Sequence, residues 1–235
     1  MISSKSLLAL AAGLALSSAP AAAQGRWIAA YAPAQDPLTA ALGASLQQWG
    51  MLESMLEPLN RDMQLPRDIT VELAECGTPS ATYDPGRPAI RLCYELFNQL
   101  MAYSTARGDS SAALFGRAFN LIFLHQAGHA LIDLLKLQPG VPLEEAADQF
   151  AVINTTGFGD PERWVDAAAA LHQHAVDWEH PGSGETALYF GSDPDAFGAP
   201  AGKGRPRPAG AANCKHEYDA VLTAWVTMLE PYLRN

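Results

Sequence analysis

The stretch that most restricts what this chain can become is Leu121 to Lys136, LIFLHQAGHALIDLLK, in which His125 and His129 stand four residues apart inside an almost wholly apolar run. On a helix that spacing brings both imidazoles out of one face, a turn apart. Phe119, Leu121, Ile122, Phe123 and Leu124 precede the pair, and Ala130, Leu131, Ile132, Leu134 and Leu135 follow it, so the helix is expected to be buried on most sides. A buried imidazole requires a partner, and a metal ion is one that two histidines can share.

A second acidic segment supplies the rest of a ligand set. Glu144-Glu145-Ala146-Ala147-Asp148 begins fifteen residues after His129, past the helix stop Pro139-Gly140 and a Pro142 suited to a first helical turn. Glu144 and Asp148 share a helical face, so Glu144 can reach the ion while Asp148 holds a ligand histidine from behind. Three protein donors then leave a fourth position for water, the arrangement of hydrolytic zinc.

These two segments carry a resemblance. HQAGHALIDLL followed by EEAADQFA looks like the paired active-site helices of gluzincin-type zinc peptidases. With LPRDITVELAECG and YDPGRPAIRLCYEL, most of the mature chain resembles a bacterial family of exported metallopeptidases of unknown substrate. The resemblance implies Zn2+ held by His125, His129 and Glu144, with Asp148 behind them. It also implies an α+β, zincin-like fold: mostly helical, with a small mixed or antiparallel sheet packed on the metal-binding helices. A peptide or protein would be the substrate.

The chain departs from that pattern twice. Family members carry Glu after the first histidine, as general base toward the metal-bound water; here Gln126 occupies the position, and an amide orients water but accepts no proton at neutral pH. Losing such a base costs about a hundredfold to ten-thousandfold in rate. Family members also carry a cysteine before the Gly-Ser-Asp-Pro segment, where Ala187 to Gly191 has none, which leaves Cys214 over. Three readings follow: an active peptidase, drawing on another carboxylate such as Glu145 or Glu179; a zinc-binding pseudo-peptidase with a structural or peptide-binding role; and a metal-free helical protein whose histidines bond to Asp148 or to backbone. Glu145 is the alternative to Glu144 as ligand. His180 and Tyr189 are candidate donors to a tetrahedral oxyanion, whereas His172 and His174, at i and i+2, point to different faces.

The first 23 residues read as a secretory signal, with Lys5, an apolar run from Leu7 to Leu16 and Ala21-Ala22-Ala23 as cleavage site, leaving residues 24–235 as one domain, exported to the periplasm or beyond. Without Lys5 the balance is 14 basic against 25 acidic residues, 14 − 25 = −11, which argues against nucleic acid or an anionic membrane as partner. No later segment is expected to span a bilayer, because Arg117, Asn120, His125 and Gln126 interrupt the central helix. In an oxidising compartment Cys76 and Cys93, each ending a strand with a turn between, are the expected disulfide.

The remaining elements follow from periodicity. Trp27 to Tyr31 reads as a short strand and Leu38 to Asn60 as one amphipathic helix through Leu42, Leu46, Trp49, Leu52, Met55 and Leu56. Ile69 to Leu73 and Ala89 to Cys93 alternate like half-buried strands, either an antiparallel pair or two edges of one sheet, with Tyr83 to Pro88 as turn. Helices are expected over Tyr94–Arg107, over Leu143–Ile153, from Pro161 to about Trp178 and over Glu217–Leu233. Ser110 or Ser111 would cap the central helix, and 180–210 would be irregular and rich in Gly and Pro.

Overall fold

The computed structural model describes residues 24–106, 112–156 and 211–234. Its order is β1 (Trp27–Tyr31), α1 (Pro37–Gln48), α2 (Met51–Asp62), β2 (Ile69–Ala74), β3 (Ala81–Asp84), β4 (Ala89–Cys93), α3 (Tyr94–Ala106), α4 (Ala112–Leu135), α5 (Leu143–Thr156) and α6 (Ala211–Leu229), closed by a single turn of 3-10 helix over Glu230–Tyr232. The expected signal segment, the helix from Pro161, the irregular 180–210 stretch and the capping serines 110 and 111 lie outside the described residues.

The architecture is α+β with a small mixed sheet, as expected, ordered β1-β2-β4-β3. Ile69, Val71 and Leu73 are fully buried and alternate with half-buried Thr70 and Glu72, so β2 presents one apolar face to the helices. Its pairing corrects both expectations for these strands: β2 runs parallel to both β1 and β4, with Val71 opposite Ile90 and Glu72 opposite Arg91, and neither β2 nor β4 is an edge of the sheet. The antiparallel partner of β4 is β3, whose Tyr83 and Asp84 were expected in the turn. Four residues, of which only Ala81 is buried, give too short an alternation to stand out from the turn chemistry of Asp84-Pro85-Gly86 that follows.

The segment 38–60 is two helices, not one. Gly50 sits in the left-handed region at φ +62° and accepts the helical bond of Ser54, so α2 starts anew at Met51. Leu46, Leu52 and Leu56 remain buried, because the periodicity came from two amphipathic faces meeting the same core. Asn60 of α2 pairs with both backbone groups of Trp27, covering the outer edge of β1.

The helix α4 is the spine of the molecule. Its stretch Ala118–Leu135 is long and apolar enough to cross a membrane, which corrects the expectation that its polar residues would disqualify it, but 83% of it is buried inside the fold. Phe123 meets Trp27 edge-on at 6.4 Å, and the Tyr83 hydroxyl donates to Asp133 at 2.8 Å, so the sheet grips the helix at two levels. The closing helix begins earlier than expected and ends at Leu229, because Pro231 belongs to the 3-10 turn; Trp225 packs against Phe150 of α5 at 5.0 Å. Cys214 lies within α6, its side chain outside the described set.

Cys76 and Cys93 form the expected disulfide across 17 residues, joining the loop after β2 to the end of β4. Glu95, at the start of α3, accepts the backbone N–H groups of Cys76 and Gly77 and holds the same loop from the other side. Replacing Cys76 and Cys93 together by serine is expected to cost about 2–4 kcal/mol of folding stability. Urea unfolding of the variant, and of the native chain with and without reductant, measures it.

Candidate metal centre

The site is built at the α4–α5 contact. Past Leu135 the chain turns through Lys136 at φ +54°, with the Leu137 N–H returning to the Ile132 carbonyl at 3.0 Å, a helix stop that normally selects glycine. A bond from Lys136 Nζ to Asp133 at 2.9 Å holds the side chain across that stop. Seven residues after Lys136, Leu143 opens α5. The two helices run in opposite senses, since Glu144 reaches both histidines while Asp148, one turn further, reaches His125 alone.

Gly128 permits their close approach. A Cβ there would fall 3.0 Å from the Ala147 Cα, 3.2 Å from the Phe150 Cβ and 3.3 Å from the Ala147 carbonyl oxygen. Ala127, Ala130, Ala146, Ala147 and Ala151 are all completely buried, so this stretch of both helices is kept small. The sequence reading passed over Gly128 and Ala147; the signal was a glycine inside the histidine pair facing two successive alanines on the acidic helix.

His125 and His129 are 3% and 6% exposed, and their Nε2 atoms lie 3.1 Å apart. Glu144 Oε2 stands 3.4 Å from each, with 30% of its side chain exposed, so the carboxylate forms the open rim of the group. The His125 Nδ1–H donates to Asp148 Oδ1 at 2.8 Å, which turns Nε2 toward Glu144 and His129. Glu145 has no part in this group, and Gln126 is fully buried beside it. His180, Tyr189, His172, His174 and Glu179 lie outside the described residues.

The donor set fits a divalent cation. Donors of a tetrahedral ion bound at about 2.0–2.1 Å stand about 3.3–3.4 Å apart, and the three edges here measure 3.1, 3.4 and 3.4 Å. Two imidazoles and one carboxylate from two packed helices therefore already have the spacing of a three-donor site. The other cluster of candidate ligands among the described residues, Cys76, Cys93 and Glu95, has both sulfurs committed to the disulfide.

In this arrangement burial pulls the His125 pKa down, but hydrogen bonds and charge from Asp148 and Glu144 more than reverse it, raising it from 6.5 to about 9. Burial also raises the Asp148 carboxyl above its usual range, against the opposing pull of His125.

Comparison with known proteins decides the family. A family model described as "Putative metallopeptidase" matches residues 31–185, about two thirds of the chain. The chain belongs to this metallopeptidase family. The match contains β2 to α5 whole, and with them His125, His129, Glu144 and Asp148. No curated protein and no solved structure matches the chain.

The raised His125 value fixes the sign of two pH effects. Its proton stabilises the metal-free fold fully below pH 6.5 and ceases to do so as pH rises through about 9. An ion must displace that proton. The metal-free Tm is therefore expected to fall between pH 6.5 and 9, while affinity for added Zn2+ climbs about tenfold per pH unit over the same window and then levels off. Differential scanning calorimetry and chelator-competition titrations across pH check the pair.

Proposed function

We propose that this chain is a zinc-dependent peptidase of gluzincin type in which His125, His129 and Glu144 hold the ion and Asp148 fixes the tautomer and orientation of His125. The observation that carries the reading is the 3.1–3.4 Å triangle of donor atoms at the α4–α5 contact, inside a chain of metallopeptidase family. His2Glu sites are those of hydrolytic zinc, where the metal lowers the pKa of bound water toward about 7 and polarises a carbonyl.

The chain's own residues divide the work. The Nδ1–H bond to Asp148 leaves the His125 Nε2 lone pair for the ion and increases its basicity, while His129 contributes the second nitrogen one turn along the same helix. Glu144, at the solvent-facing rim, supplies the anionic ligand and offsets part of the metal's charge. The apolar walls of α4 keep competing water away from the histidines.

Gln126 sets the level of activity. In the motif this position holds the carboxylate that takes the proton of the attacking water; the amide can orient that water and donate to a bound carbonyl, but removes no proton. Hydrolysis is therefore attenuated. The same residue favours a second reading, a zinc-binding pseudo-peptidase that retains peptide recognition without turnover. The secretory signal read at residues 1–23 would carry either protein out of the cytoplasm as an exported chain.

Metal analysis of the purified protein is expected to find one zinc per chain, lost in His125→Ala and retained in Gln126→Glu. A wild-type chain that takes up no zinc would end the reading. For the attenuated peptidase, Gln126→Glu is expected to raise cleavage of a mixed peptide library by about a hundredfold to ten-thousandfold; for the pseudo-enzyme, cleavage is expected in Gln126→Glu where the wild type shows none. Equal, robust cleavage by both forms would refute the role given to position 126.

A further inference from the structure

The metal triangle is assembled by two helices, and its width depends on how near they can come. Only one glycine of α4 lies against α5: at Gly128 an added Cβ would meet the Ala147 backbone at 3.0 and 3.3 Å and the Phe150 Cβ at 3.2 Å. None of these is the far end of a flexible side chain and two are backbone atoms of α5, so the few tenths of an ångström that an added Cβ needs come from the spacing of the two helices. Gly128 is flanked within α4 by His125 and His129, and Ala147 is flanked within α5 by Glu144 and Asp148. Any separation at Gly128–Ala147 is thus passed directly to the 3.4 Å edges between Glu144 and the histidines and to the 2.8 Å bond from His125 to Asp148.

We infer that Gly128 is a positioning residue of the metal centre, which sets the distance between Glu144 and the two histidines by admitting the α5 backbone at Ala147. The inference rests on the proposal that His125, His129 and Glu144 hold zinc. Glycine in a helix interior costs stability relative to alanine, so local propensity favours alanine at this position and close packing opposes it. At 24 residues, α4 has ample helix to tolerate one such residue.

The test compares Gly128→Ala and Ala147→Val, which load the same contact from opposite helices, with Leu56→Ala, a truncation in the buried face of α2 that makes no part of the α4–α5 contact. Zn2+ affinity is read by chelator competition, the visible absorption of the Co2+-loaded protein reports ligand geometry, and Tm reports stability. Gly128→Ala and Ala147→Val are expected to lose at least tenfold in Zn2+ affinity and to change the intensity of the Co2+ bands. Leu56→Ala should bind within twofold of wild type with an unchanged spectrum, even at an equal or larger loss of Tm. The inference is overturned if Gly128→Ala binds within twofold of wild type, or if affinity follows Tm alike in all three. It is also overturned if neither helix-contact variant folds while Leu56→Ala does, because the contact would then serve general packing alone. Absence of Zn2+ from the wild-type chain would instead overturn the metal proposal on which it stands.

Discussion

The bond from His125 to Asp148 is the interaction on which the rest of the centre depends. Both side chains are almost fully buried, and neither belongs in an apolar interior alone. Joined at 2.8 Å they satisfy each other, link α4 to α5, and leave the opposite nitrogen of the imidazole pointing at Glu144 and His129. Burial raises the carboxyl, the carboxylates raise the imidazole, and the pair is stable because each supplies what the other lacks. A packed helix of hydrophobic residues surrounds it, which is why two polar groups can be held there with a single orientation.

The frame that holds this bond is simple. A parallel core of β1, β2 and β4, extended by the antiparallel β3, presents Ile69, Val71, Leu73, Ile90 and Leu92 to the helices. The helix α4 lies against it, fixed by Trp27 on Phe123 and by Tyr83 on Asp133, and α5 lies against α4. The scaffold places ligands without reference to the residue beside them. Gln126 can stand where a carboxylate would do proton transfer, and the donor triangle is undisturbed, because ligand placement rests on helix packing and general-base chemistry rests on one side chain. The placement of the donor triangle is therefore independent of the residue that stands at position 126.

Much of the site was legible because its signals are local. The four-residue spacings of His125 with His129 and of Glu144 with Asp148 are properties of a helix, and the strands that carry Cys76 and Cys93 to within bonding distance alternate clearly. Where the reading failed, the deciding contact was distant in sequence. Leu42 through Leu56 keep helical periodicity across Gly50, so the break at φ +62° is invisible to a pattern that asks only where apolar residues fall. The parallel pairing of Ile69–Ala74 with Ala89–Cys93 requires β3 to return the chain, and β3 is four residues long. Gly128 carries no local signal of its own; its meaning is in Ala147, nineteen positions away.

The amino-acid sequence by itself determined the kinds of atoms available to a metal, the helices that carry them, the carboxylate missing at position 126 and the mixed α+β class. Those follow from residue identity and from the two periods of regular backbone, which need no knowledge of the partner. Only the tertiary structure decided that Glu144 rather than Glu145 faces the histidines, that Asp148 takes His125 rather than His129, and that the three donors stand 3.1 to 3.4 Å apart. Those depend on the angle and separation of two packed helices, which are set by volume at Gly128 and Ala147 and by the buried sheet beneath them.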